Sequence, residues 1–195
     1  MSNFYLYQYN CIFIHIPKTG GLSIRHGFFD KQYEGPWFGS IPKKYRHCFS
    51  FCFVRNPYDR LISAWKMLTK DHQKLPQLTL HEFLNIVTDE SLPFRSGNTL
   101  KKYKESVRHH TIPQTHPFNC LYLSKYVGRY ENLKADFKIV CSKINCEFKP
   151  LPIINRSQFD NNYMQYFDRD TLKIANEYYL KDFQEFNYNL IQEMP

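Results

Sequence analysis

The sequence predicts an α/β fold, a central parallel sheet flanked by helices, and two observations predict it. Twice the chain runs from a short, wholly apolar, β-branched or aromatic segment into a sharp turn and then into a helical pattern. Strands that read as continuous apolar runs are those buried on both faces, as in parallel sheets. A repeated strand–turn–helix order is the signature of α/β layering.

The first such strand is Cys11-Ile-Phe-Ile-His-Ile16, followed at once by Pro17-Lys-Thr-Gly-Gly-Leu-Ser23. The Gly-Gly pair permits a tight turn, and Leu22 onward opens a helix through about Gly27. The second is Phe49-Ser-Phe-Cys-Phe-Val54, ending in Arg55-Asn-Pro-Tyr-Asp-Arg60. Asn56 is a good N-cap, Pro57 fits the first helical position, and Leu61, Ile62, Trp65 and Leu68 form an apolar face. Further on, Thr79-Leu-His-Glu82 reads as a capping box before Phe83, Leu84 and Val87. Residues 98–109 read as a charged surface helix. Phe118–Leu123 and Tyr126–Tyr130 read as short strands, Asn132 as the cap of a helix, and Asp168 as the start of a final helix carrying Leu172, Ala175, Tyr179 and Phe183. Nothing marks an interdomain linker, so the expectation is one domain over residues 1–195.

Composition narrows the classes. At 195 residues with 43% hydrophobic and 23% charged side chains, the chain is neither disordered nor fibrous. No apolar run approaches the ~20 residues needed to cross a bilayer, and the N-terminus lacks a signal-peptide pattern, so the expected location is cytoplasmic. The six cysteines have no zinc-knuckle spacing; reduced thiols in or near the core and no metal are expected. The net charge of +8 is uneven: residues 1–60 carry eight Lys/Arg against three Asp/Glu, residues 61–130 ten against five, and residues 131–195 eight against ten. A one-sided basic field points to an anionic ligand.

Two motifs specify where that anion sits. In strand–PKTGGLS–helix, main-chain N–H groups of the turn and helix N-terminus make an anion cradle, with Lys18 as a point charge and Thr19 and Ser23 as hydroxyl donors. Lys18 precedes the glycines, unlike the triphosphatase loop in which Lys follows them. In strand–RNPYDRLIS–helix, Arg55 stands at the strand's end and Ser63 in the second helical turn; a guanidinium fork suits phosphate. Arg60 reads as structural or ion-paired. Two anion sites at the ends of adjacent parallel strands imply one ligand with two anionic groups.

These segments resemble the carbohydrate sulfotransferases, the chondroitin 4-O- and heparan/uronyl 2-O-type enzymes of sulfotransferase family 2. Ile12–Gly21 is similar to their 5′-phosphosulfate loop and Phe51–Ser63 to their 3′-phosphate motif. His110-Thr-Ile-Pro-Gln114, Val127-Gly-Arg-Tyr-Glu-Asn-Leu133 with Asp136 and Phe137, Leu151–Ser157 and Tyr178–Phe183 resemble downstream motifs, in order. The resemblance implies a three-layer, P-loop-like fold. It also implies transfer of a sulfuryl group from 3′-phosphoadenosine 5′-phosphosulfate (PAPS) to a hydroxyl, leaving adenosine 3′,5′-bisphosphate (PAP), with no metal and no nucleic-acid partner. Pro17, Lys18, Thr19, Gly20, Gly21, Leu22 and Ser23 would hold the 5′-phosphosulfate, Arg55 and Ser63 the 3′-phosphate, and Arg156 and Ser157 would close over the nucleotide. Family members often carry Thr where this chain has Leu22. Lys18 would follow the charge on the leaving phosphate, and His110 and Glu34 lead the candidates for general base, with His47 and His26 behind them. A small P-loop-like kinase and a non-catalytic polyanion-binding module are the alternatives. The saccharide acceptor and the oligomeric state have no readable code.

Overall fold

The computed structural model describes residues 2–29, 32–71, 77–92, 103–152, 154 and 162–193. The chain packs as two compact units, each built from two stretches: residues 1–55 with 114–156, and residues 56–113 with 157–195.

The first unit is a five-stranded sheet. β1 (Ser2–Leu6), β2 (Cys11–His15), β3 (Tyr33–Trp37), β4 (Phe49–Val54) and β5 (Tyr126–Arg129) lie in the order β3-β1-β2-β4-β5. β2, β4 and β5 pair in parallel, while β1 is antiparallel to both β2 and β3. Four strands therefore point one way and β1 the other, so the class is the expected one: mixed α/β, a central and mostly parallel sheet with flanking helices, in keeping with a P-loop-like layered fold. Two of these strands were not legible as such. β1 carries the buried polar Asn3, whose amide donates to Ser40 O at 3.1 Å. β3 contains Gly35-Pro36, a pair that demotes a segment on propensity.

Two helices belong to this unit, α1 (Gly21–Phe28), directly after β2, and α5 (Leu133–Lys143), after β5. Ile24 and Phe28 of α1 and Phe137, Val140 and Cys141 of α5 pack with Phe4, Leu6, Cys11, Phe13, Phe51 and Phe53 from one face of the sheet. The core is ring-rich, with edge-to-face and stacked pairs such as Phe28–Phe137 at 5.0 Å and Phe13–Phe51 at 5.2 Å. Ile12, Ile14, Cys52 and Val54, which alternate with them, are also buried. The strands are thus covered on both faces, as their unbroken apolar runs require.

The second unit is helical: α2 (Pro57–Lys66), α3 (Leu80–Val87), α4 (Tyr103–Thr111), α6 (Arg169–Tyr178) and α7 (Leu180–Glu185). Asn56 accepts from the main-chain N–H groups of Tyr58 and Asp59, and Pro57 fills the first helical position, as expected. The capping boxes at Thr79/Glu82 and Asp168/Thr171 both form. Tyr58, Leu61, Trp65, Phe83, Leu84, Val107, Leu172, Ala175, Tyr179 and Phe183 share one core.

Three sequence expectations are corrected. Residues 118–123 form two short 3-10 turns, Pro117–Asn119 and Leu121–Leu123, because Cys120 between them takes a left-handed conformation (φ 57°) that no strand accommodates. Asn132 makes no side-chain cap; a 3-10 turn, Tyr130–Asn132, leads into α5 instead. α4 is not a surface helix, since Val107, His109 and Thr111 are buried.

Candidate functional site

The site is built where β2 and β4 end side by side. Their register pairs Ile14 with Cys52, so Pro17 and Arg55 follow the two strands at the same level. The chain after β2 turns through two left-handed residues, Lys18 (φ 70°) and Gly20 (φ 83°), and enters α1 at Gly21. Thr19 is buried, and its hydroxyl donates to Ile16 O at 2.8 Å, closing the turn on itself. Nothing larger than glycine fits behind it. A Cβ on Gly21 would lie 2.0 Å from His15 Nε2, and one on Gly20 would lie 3.0 Å from Leu133 Cδ2. The close packing leaves the main chain of the turn as its functional surface, which is what an oxyanion cradle at a helix N-terminus needs. Ser23 is buried in the first turn of α1, and Leu22 is exposed.

His15 is the wedge under this turn. It stacks on Phe13 at 5.5 Å, and burial, with Arg25 and Lys18 nearby, lowers its pKa to about 4. A neutral ring adds no charge beside the cradle.

Arg55 joins the two motifs. Its guanidinium donates to Lys18 O at 3.0 Å and lies 4.2 Å from the centre of the Tyr130 ring. Tyr130 is level with Arg55 because β4 pairs Val54 with Arg129 of β5. The same Tyr130, with Leu133, packs against Gly20, and Asp136 one turn on accepts the Arg129 N–H at 2.5 Å. The Gly-Arg-Tyr-Glu-Asn-Leu segment is therefore the platform of the site.

The main chain of Arg55 is fixed by a residue 59 positions away. Gln114 accepts from Arg55 N–H through Oε1 at 2.9 Å and donates from Nε2 to Arg55 O at 2.9 Å. Gln114 is fully buried, and Asn119 holds its carbonyl at 3.1 Å. This reciprocal amide pair continues the strand's hydrogen bonding one residue past Val54 and satisfies two buried main-chain groups. Sequence reasoning quoted Gln114 and Tyr130 only as motif letters. Their partners are a main chain and a loop that no local spacing reveals.

Lys18, Thr19, Gly20, Gly21, Ser23 and Arg55 are thus together in the first unit. Glu34 is not with them. It sits on edge strand β3, opposite Tyr5, which in turn pairs with Ile12. That places it two strands from β2 and toward the end of β2 remote from the turn. There it accepts from Tyr7 at 2.8 Å and from Tyr45, and pairs with Lys44 at 3.4 Å. Those hydroxyls, with Lys44, hold its carboxyl below the usual range. An ionised, committed carboxylate remote from the turn is a poor base for chemistry there, so Glu34 is withdrawn as a base candidate. His47 precedes β4, at the end of that strand opposite Arg55, and His26 is exposed on α1.

In the second unit, Ser63 lies half-buried in the second turn of α2. His110 ends α4 with Nδ1 2.7 Å from Ser106 O. A carbonyl can only accept, so the ring donates to it from Nδ1. Arg60 is structural, buried and donating to His110 O at 3.1 Å, and Tyr179 donates to Thr111 O at 2.6 Å. Arg156 and Ser157 lie outside the described residues. Among the described residues no cluster of metal-ligating side chains occurs, and no helix is long and apolar enough to cross a membrane.

No curated protein and no solved structure matches the chain. A comparison with known families does: the match to the sulfotransferase family runs over residues 4–189. It spans both strand–turn–helix segments, the Gln114 clamp and the Tyr130 platform, nearly the whole molecule. The chain is a member of the sulfotransferase family, a transferase of sulfuryl groups.

Proposed function

We infer that the sulfuryl donor is PAPS and that the acceptor is a carbohydrate hydroxyl. The observation that carries the donor half is the hydrogen bond from Arg55 to Lys18 O. It ties a tightly closed oxyanion cradle to a buried guanidinium at the neighbouring strand end, which suits one nucleotide with anions at both ends. The turn Lys18–Ser23 receives the 5′-phosphosulfate, and Arg55 receives the 3′-phosphate. The sequence motif adds Ser63 to the latter and Arg156 and Ser157 to the nucleotide. The carbohydrate half rests on the resemblance of the motifs.

Sulfuryl transfer, like phosphoryl transfer, asks mainly for positioning and charge stabilisation. The S–O bond to the 5′-phosphate breaks as the acceptor oxygen attacks in line. Negative charge grows on the bridging oxygen, and the Lys18 ammonium neutralises it without a metal. The acceptor loses its proton to a general base. His110 of the His-Thr-Ile-Pro-Gln segment is assigned that role on the resemblance of the motif.

Calorimetry with three ligands tests the reading. Tight binding of PAP, markedly weakened in Arg55→Ala, is the expected result. Preference for ATP with Mg²⁺ would replace the reading with a kinase. Binding only to duplex DNA, steeply salt-dependent, would replace it with a polyanion-binding module.

A further inference from the structure

The C-terminus of α5 carries two thiols in an arrangement the proposed chemistry does not use. The helix ends in a Schellman motif: Cys146 N–H donates to Cys141 O at 2.9 Å, Asn145 N–H donates to Ser142 O at 3.3 Å, and Asn145 is left-handed (φ 52°). In this motif the third residue before the cap and the second after it lie side by side, normally as an apolar contact. Here both are cysteines. The main-chain hydrogen bond between them holds the two residues together where the helix ends, and a disulfide needs Cα atoms about 4.4–6.8 Å apart. The side chains share one setting as well: both pack on the same aromatic core, Cys141 within it and Cys146 against it.

We propose that Cys141 and Cys146 form a reactive dithiol, a modification site that closes to an intramolecular disulfide when a small-molecule disulfide such as oxidised glutathione is supplied. The order of events follows from access. Of the six free cysteines, five are buried and only Cys146 is partly open to solvent, so Cys146 reacts first. Its thiolate attacks one sulfur of the reagent, the reagent's S–S bond breaks, and one glutathione leaves as the thiol. Cys141 then gives up its proton and attacks the Cys146 sulfur of the mixed disulfide, expelling the second glutathione. Two protein thiols are oxidised and one reagent disulfide is reduced, so atoms and electrons balance. Burial and the neighbouring thiol push Cys141 up to about 12, which makes the second step the slower one. Cys11, buried in the same core, is the competitor for it. This inference stands apart from the nucleotide reading, because no residue it uses is assigned to the donor or the acceptor.

Trypsin provides the readout, since Lys143 lies between the two thiols. The native full-length protein is incubated with oxidised glutathione, quenched with N-ethylmaleimide and digested without reductant. The expected product is peptide 139–143 cross-linked to peptide 144–156. It should be lost in Cys146→Ser, whereas Cys141→Ser should stop at the glutathione adduct on Cys146. A wild-type protein that stops at that adduct, or that links Cys146 to the peptide containing Cys11, would overturn the proposal. A second measurement needs no oxidant. Phenylarsine oxide, which bridges two close thiols, should add once to the wild type and not to either serine variant; no addition to the wild type would equally overturn it.

Discussion

Among the described residues of the sheet unit, two cations lie over tyrosine rings, and they teach opposite lessons. Arg55 lies 4.2 Å from the Tyr130 ring centre and Lys44 4.5 Å from that of Tyr45. The first is 8% exposed, with its main chain gripped by Gln114. The second has a side chain 64% exposed and is balanced by the Glu34 carboxylate. A solvated, ion-paired lysine contributes little and can be replaced. A buried guanidinium on a fixed main chain is preorganised, and preorganisation is what binding and transition-state stabilisation reward. Charge and ring are common to both places; burial and a held backbone set the candidate site apart.

The widest separation of the two regions is expected in turnover. Lys18→Ala should lower kcat on the order of 10²–10³-fold, the scale of losing a group that stabilises transition-state charge, with a much smaller change in donor affinity. Lys44→Ala should change neither by more than about twofold. Equal, mild effects of Lys18→Ala on kcat and KM would remove it from the chemistry.

Donor affinity is the next test. Arg55→Ala should weaken PAP binding by roughly 10–100-fold, the worth of a charge-assisted hydrogen bond, measured by calorimetry. Glu34→Gln should leave that affinity and turnover unchanged. A Glu34→Gln enzyme as slow as Lys18→Ala would return the carboxylate to the site.

Gln114→Ala probes the grip itself. It strips partners from a buried N–H and a buried C=O, so unfolding free energy should drop by about 1–3 kcal/mol and PAP affinity should fall with it. Stability lost at full affinity would show that Arg55 needs no clamp.

The smallest effect is a response to acid. Burial holds His15 in the sheet unit and His109 in the helical unit near pKa 4, below the ordinary histidine value of about 6.5. The unfolded chain takes up these protons first, so stability is complete above about pH 6.5 and is lost as the pH falls toward 4. By linkage each contributes roughly 1 kcal/mol of loss at pH 5.5. Urea midpoints at pH 7 and 5.5 measure the sum, and His109→Gln should flatten its part.

The contrast also marks what a sequence displays. β2 and β4 were legible because burial on both faces leaves unbroken apolar runs, and the cradle because Pro-Lys-Thr-Gly-Gly must follow a strand to work at all. Asn56, Thr79 and Asp168 announced their helices through local hydrogen bonding. β1 and β3 were not legible: one spends a buried asparagine on a distant carbonyl, the other carries Gly-Pro. Glu34 looked available as a base because Tyr7 and the Lys44-Tyr45 pair reach it from two separate segments. Gln114 looked like a letter in a motif because an amide that mimics a neighbouring strand has no periodicity.

The Gln114 clamp has a consequence for how the protein assembles. Bringing together residues 59 apart costs roughly 3–4 kcal/mol of loop-closure entropy, more than two hydrogen bonds return at about 1 kcal/mol each. The clamp cannot close that loop unaided. It forms on a frame already drawn together by β4 and β5, and opens when that frame opens. The Arg55 amide proton should therefore exchange with solvent only as the sheet itself comes apart, which makes one hydrogen at the candidate site a clock for the integrity of the whole first unit.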